Sequence, residues 1–147
     1  MADIVKTLND LIATCRDSQE GFQKAAKGCH SENLRHRFVG AARQRADFAD
    51  ELVEHVRNLK GEPAATAHES GVQHEGWRQL EQSIRPKDDA SFIAHCLTGE
   101  ENTLRHYEIA LTRDLPVAVR PVVERQRLAV QETLLELRSI QLVRGAG

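Results

Sequence analysis

Apolar side chains recur every three or four residues along most of the chain. This spacing predicts one apolar face on each of four α-helices, over residues 3–28, 32–60, 90–113 and about 115–140. No segment alternates apolar and polar residues between hairpin turns, so the sequence offers no candidate strand. The pattern therefore predicts an all-α protein.

Turn residues set the connections between these helices. Gly28 ends the first helix and Ser31 can cap the second, so a short turn joins them as an antiparallel pair. Pro116 suits the first turn of the fourth helix. Pro121 lacks a backbone donor, so either that helix kinks there or it begins at Pro121.

Residues 61–87 form a long connection between the two helical hairpins. Its first half is small, polar and proline-bearing, which predicts a loop, whereas the spacing of Trp77, Leu80 and Ile84 predicts a short amphipathic helix anchored by Trp77. Two hairpins joined by one long crossover predict a ferritin-like four-helix bundle. We expect residues 1–147 to be a single domain with a disordered tail from about 143 to 147.

Composition and charge restrict the cellular location and the binding partners that we expect for this protein. Twenty basic and twenty-two acidic residues give a net charge of −2, which argues against nucleic-acid binding. No apolar run is long enough to span a membrane, and the N-terminus lacks the pattern of a secretory signal. Cys15, Cys29 and Cys96 are widely spaced, which favours free thiols in a reducing cytoplasm.

The polar residues of greatest interest are those on the inward faces at mid-height, where bundles build their sites. Counting 100° per residue places five polar candidates there: Ser18 or Gln19, Arg45, Glu100 and Gln126. We expect a buried Arg45–Glu100 ion pair whose spare donors and acceptors are met by Gln126, Gln19 and Ser18, because an unpaired buried charge is costly. The alternative is that Arg45 reaches the surface along its aliphatic stem.

Metal chemistry is less well supported by the sequence. A dinuclear carboxylate site uses Glu-x-x-His on two helices, and this motif is absent. We therefore favour a non-catalytic protein without a cofactor. The alternative is an oxidoreductase or iron-handling protein that binds iron or manganese through Glu100, Glu101, His106 and Glu124. A third possibility is a small-ligand carrier that accepts an anion near Arg45.

The fourth helix carries a second apolar stripe almost opposite its core face. A helix that is apolar on two sides has two neighbours. One candidate neighbour is the crossover helix with Trp77, and the other is a second copy of the chain. We expect a homo-oligomer formed through four residues: Val117, Leu128, Leu135 and Leu142.

Five segments, in order, cover nearly the whole chain: LNDLIATCRDSQEGFQKAA at 8–26, RQRADFADEL at 43–52, HEGWRQL at 74–80, GEENTLRHYEIAL at 99–111 and LPVAVRPVVERQ at 115–126. Together they resemble a bacterial family of unknown function in the ferritin-like superfamily. The resemblance implies a four-helix bundle with a crossover helix, a bacterial cytoplasmic setting and a stress-linked role. Family members often carry a carboxylate where this chain has Gln19 and a histidine near Leu134, so this chain lacks two possible metal ligands.

Overall fold

Four long helices account for most of the structure. The computed structural model describes residues 2–64, Trp77 and residues 88–146, and this part of the chain contains no strand. The helices are α1 (Ala2–Gly28), α2 (Glu32–Asn58), α3 (Asp89–Leu111) and α4 (Arg120–Ala146). The predicted all-α bundle with a long crossover is confirmed. Apart from Trp77, the predicted crossover helix lies outside the described residues.

The first two helices form an antiparallel hairpin through a three-residue turn. The Ser31 side chain caps α2 by accepting a hydrogen bond from the backbone N–H of Leu34 at 3.2 Å. Arg35 then reaches back to the end of α1, where its Nε donates to the carbonyl of Ala26 at 3.0 Å and its Nη2 to that of Cys29 at 2.7 Å. These bonds satisfy carbonyl groups that the end of a helix leaves without partners.

The second hairpin explains the position of Pro121. Residues 117–119 form a turn, and α4 begins at Arg120. Pro121 therefore lies in the first turn, where its missing N–H removes no helical hydrogen bond. Of the two alternatives from the sequence, a start at Pro121 is correct to within one residue, and the start near Pro116 is wrong.

The two described ends of the crossover, at residues 61–64 and at residues 88–89, lie at opposite ends of the bundle. At one end, the Asn9 side chain binds the backbone of Glu62 and Ala64, with both hydrogen bonds at 2.9 Å. At the other end, the Asp89 carboxylate accepts from the backbone N–H groups of His30 at 2.6 Å and Ser31 at 3.0 Å. Because the chain leaves α2 at one end and enters α3 at the other, α2 and α3 run in the same direction.

The apolar core has two parts, with polar side chains between them. One part contains Phe22, Phe38 and Phe92, and the other contains Leu8 and Leu52. Both parts are built from the inward stripes that the sequence spacing predicts.

The last helix extends further than the sequence indicates. The sequence predicts a disordered tail from about residue 143, whereas α4 continues through Ala146. Near the end of α4, Arg144 Nη2 lies 3.2 Å from the Asp89 carboxylate at the start of α3. Within the described residues, no helix is long and apolar enough to cross a membrane.

Candidate functional site

A buried ion pair occupies the middle of the bundle. Arg45 lies near the centre of the 27-residue α2, and Glu100 lies near the centre of the 23-residue α3. The Arg45 Nη1 is 2.5 Å from Glu100 Oε1, and Nη2 is 2.7 Å from Oε2. Neither side chain has any exposed surface. The two parallel hydrogen bonds match the planar guanidinium to the carboxylate at both nitrogens.

The surroundings of Arg45 hold its guanidinium in position and keep it protonated. Its guanidinium carbon lies 5.5 Å from the centre of the Phe22 ring, and its Nε donates to Gln44 Oε1 at 3.3 Å. Burial disfavours the cation, but the charge of Glu100 and its hydrogen bonds outweigh this effect, so the pKa of Arg45 lies above its ordinary value. Because the Arg45 side chain has no exposed surface, the alternative in which it reaches the surface is wrong.

A second set of polar side chains, joined by hydrogen bonds, lies beside the ion pair and extends to the surface. Tyr107 Oη donates to Gln126 Oε1 at 2.6 Å, and Gln126 Nε2 donates to Glu51 Oε1 at 3.0 Å. Cys15 Sγ lies 3.0 Å from Tyr107 Oη. Because the single Tyr107 proton is used on Gln126, the Cys15 thiol must be the donor to Tyr107. Glu51 ends this path at the surface in an ion pair with Arg125.

Burial also sets the protonation of this group. It raises the pKa of the Cys15 thiol to about 11. The pKa of Tyr107 is raised well above its ordinary value by the same cause. Both side chains are therefore neutral near pH 7, and a protonated thiol is a poor nucleophile.

The predicted partners of the ion pair lie elsewhere. Gln126 is buried but bonds with Tyr107 and Glu51 on its own side of the core. Ser18 is buried and donates to the carbonyls of Thr14 at 3.0 Å and Cys15 at 3.1 Å. Gln19 is partly exposed and lines a surface groove. The expectation that these three complete the ion pair is wrong, because the hydrogen bonds of Ser18 and Gln126 go to other groups and Gln19 lies at the surface groove.

The four residues of the metal alternative do not converge. Glu100 is held by Arg45, whereas Glu101 is exposed and lies 3.8 Å from Arg138. Glu124 is exposed and lies 4.0 Å from Arg120.

His106 is half-buried, and burial lowers its pKa. Among the described residues, no group of three or more His, Cys, Asp or Glu side chains is placed to hold a metal ion.

The anion site expected near Arg45 is not formed either. Both terminal nitrogens of Arg45 bind Glu100, and the Arg45 side chain is inaccessible.

Trp77 is buried against the bundle, as the sequence predicts, in a notch that the sequence pattern does not reveal. A Cβ added to Gly21 would lie 2.1 Å from the Trp77 ring, and one added to Gly99 would lie 2.3 Å from it. The indole Nε1–H donates to Thr103 Oγ1 at 3.2 Å, and the ring meets Phe22 edge-on at 4.8 Å between centres. Two glycines inside long helices, where glycine is unfavourable, were the available signal.

The helix order, the long crossover and the inward polar layer define a ferritin-like four-helix bundle. Two solved structures share this fold. A mutant of Dps1 from Mycobacterium smegmatis superposes with a TM-score of 0.83 at 11% identity and covers 95% of both chains. The tetragonal form of Mycobacterium smegmatis Dps gives a TM-score of 0.78 at 12% identity and covers 94% of this chain and 85% of that one. At these identities, the likeness concerns the fold alone.

Residues 3–113 match the family described as "Domain of unknown function (DUF2383)". The match covers well over half of the chain, and the protein belongs to this family. No curated protein matches the sequence significantly.

Proposed function

We propose that this protein is a non-catalytic ferritin-like bundle that acts by associating with further copies of itself. The observation that carries the non-catalytic part of the proposal is the Arg45–Glu100 ion pair. Di-iron and di-manganese proteins of this fold class fill the centre of the bundle with inward carboxylates and histidines from all four helices. Here the protein supplies its own cation, and that cation uses both oxygens of the inward carboxylate.

The electrostatics of this centre support a structural role. A second cation in the same layer would be repelled by the guanidinium at short range in a medium of low dielectric constant. The neighbouring Cys15 thiol is protonated near pH 7, since its pKa is about 11. The centre therefore lacks an available anionic ligand and an activated nucleophile among the residues described above.

The outer face of α4 supports self-association. Leu128, Leu135 and Leu142 share this face at intervals of seven residues and are 50%, 55% and 74% exposed. Val117, in the turn before α4, is 92% exposed. Large apolar side chains in a row on a surface mark an interaction site more often than chance placement does. A bacterial cytoplasmic setting and a stress-linked role, both implied by the family resemblance, are part of the same proposal.

Light scattering at micromolar concentration tests the self-association. We expect the wild-type protein to be a dimer or larger, and Leu135→Lys to reduce its mass to that of one chain. Ile109→Lys is a matched control, because Ile109 on α3 is 47% exposed and lies off the α4 stripe. A wild-type protein that remains a monomer would overturn the proposal, as would equal effects of the two variants.

A further inference from the structure

A cationic groove runs between α1 and α2 on the outside of the bundle. Its volume is about 700 Å³, within the range of ligand and peptide sites. Ala26, Val39 and Ala42 give it an apolar floor, and Lys27 and Arg43 line it with positive charge. The described residues that line the groove include no carboxylate.

The positive charge of this groove is largely unneutralised. In residues 2–64 and 88–146, neither Lys27 nor Arg43 has an ion-pair partner. Arg35, which also lines the groove, is paired with Glu32 and fixed by the carbonyls at the end of α1. The groove therefore presents two free cations above an apolar floor, one of them on each helix.

The outer face of α4 has the complementary chemistry. Glu132 lies between Leu128 and Leu135, one turn from each, so all three side chains share one face. Of the other charged residues near this face, Glu124 pairs with Arg120, Arg125 with Glu51 and Glu136 with Arg37. Glu132 is exposed and has no ion-pair partner among the described residues.

We propose that the outer face of α4 of one copy docks into the α1–α2 groove of a second copy. Leu128 and Leu135 would cover Val39 and the alanine floor, while Glu132 would meet the free cations. This is the packing of an amphipathic helix in an apolar groove with a charged rim. The inference rests on the self-association proposed above and names the surface that receives α4.

The two surfaces belong to different helices, so each copy carries one donor face and one acceptor groove. A single contact of this kind is heterologous, and repeating it yields a closed ring or an open filament, whereas two contacts exchanged within one pair yield a two-fold dimer. A stripe that paired with its own symmetry mate would instead give an isologous dimer and leave the groove unused.

Two variants that block opposite halves of the contact test this arrangement. The face variant, Leu135→Lys, places a cation against the cationic groove. The groove variant, Val39→Glu with Arg43→Glu, places carboxylates against Glu132. We expect each variant alone to be a monomer by light scattering, with the helical circular dichroism of the wild type. An equimolar mixture should associate, because the intact face of the groove variant meets the intact groove of the face variant.

The results of these experiments distinguish docking of α4 into the groove from self-association in general. If the groove variant alone associates like the wild type, the inference is overturned while self-association through α4 stands. If both folded variants remain monomers when mixed, the inference is also overturned. A wild-type protein that is a monomer would overturn both the docking arrangement and the proposed self-association. Arg57→Glu is the control for charge reversal on α2, because Arg57 lies outside the groove, and it should associate like the wild type.

Discussion

Arg45 on α2 and Glu100 on α3 form a two-point ion pair between helices that are diagonally opposite in the bundle. The helices that pack closely are α1 with α2, α3 with α4, and α1 with α3. The ion pair therefore joins the two hairpins across the core. Because the crossover makes α2 and α3 parallel, their midpoints lie at one height, and the two side chains meet without an offset.

Removal of the Glu100 charge should strongly destabilise the fold. Glu100→Gln leaves a buried guanidinium without its anion, and losing one partner of a buried pair costs about 3–5 kcal/mol. The measurement is the free energy of unfolding in urea. Glu101→Gln is the matched control, since Glu101 is half-exposed and lies 3.8 Å from Arg138, and its effect should stay below about 1 kcal/mol.

The double variant Arg45→Met, Glu100→Leu distinguishes the destabilisation caused by an unpaired buried charge from the net contribution of the ion pair to the free energy of unfolding. Replacing both partners by apolar residues of similar volume is often neutral or stabilising. We therefore expect the double variant to recover most of the stability that Glu100→Gln loses. A double variant as unstable as the single one would contradict this account of the ion pair.

The Cys15 thiol predicts a loss of stability in alkaline solution. Its pKa rises from 9.0 in its ordinary state to about 11 in the folded protein. Between these values, the unfolded chain releases the proton while the folded chain retains it, so the free energy of unfolding falls as the pH rises. The pKa difference of about two units corresponds to about 3 kcal/mol of the free energy of unfolding. This contribution is present in full below pH 9 and is lost by about pH 11.

Urea unfolding of wild type and Cys15→Ala at several pH values isolates this contribution. Tyr107 and Cys96 also have raised pKa values and remain in both proteins, so only the difference reports on Cys15. We expect Cys15→Ala to be less stable than the wild type at pH 8 and the gap to narrow towards pH 11. A gap that does not change with pH would show that the Cys15 thiol ionises equally in both states.

Gly99→Ala should displace the single tryptophan of the protein. The added methyl would lie 2.3 Å from the Trp77 ring, and crowding of this kind in a core costs about 1–3 kcal/mol. We expect lower stability together with a red-shifted tryptophan emission.

Gly40→Ala is the control for Gly99→Ala, because Gly40 also lies inside a helix but has no atom within 4 Å of an added Cβ. It should raise stability by about 0.5–1 kcal/mol through helix propensity alone. Equal effects of the two substitutions would mean that Trp77 does not occupy the notch in solution.

The sequence contained the fold and the identity of the inward polar residues. The apolar spacing determined the four helices, because a helix turns by 100° per residue regardless of context. The same count places Arg45, Glu100 and Gln126 on inward faces, and all three are buried. Opposite charges in one layer then leave few ways to satisfy a buried guanidinium.

The partners of the remaining polar groups could not be read from the spacing. Whether Gln126 meets the ion pair or Tyr107 depends on differences in height of about one turn between helices, which the apolar stripes do not define. The Trp77 notch depends on where the Trp77 ring meets α1 and α3, and that information is absent from the periodicity of either helix. The contact between Arg144 and Asp89 joins residues 55 positions apart, and the periodicity of a single helix does not predict such a contact.

Elemental analysis of the untagged protein, purified from cells supplied with iron and manganese, tests the central claim most directly. The account predicts metal far below one ion per chain in the wild type and no further decrease in Glu100→Gln, because Arg45 already occupies the carboxylate. One or two bound ions per chain, lost on Glu100→Gln, would contradict it and establish the centre of the bundle as a metal site.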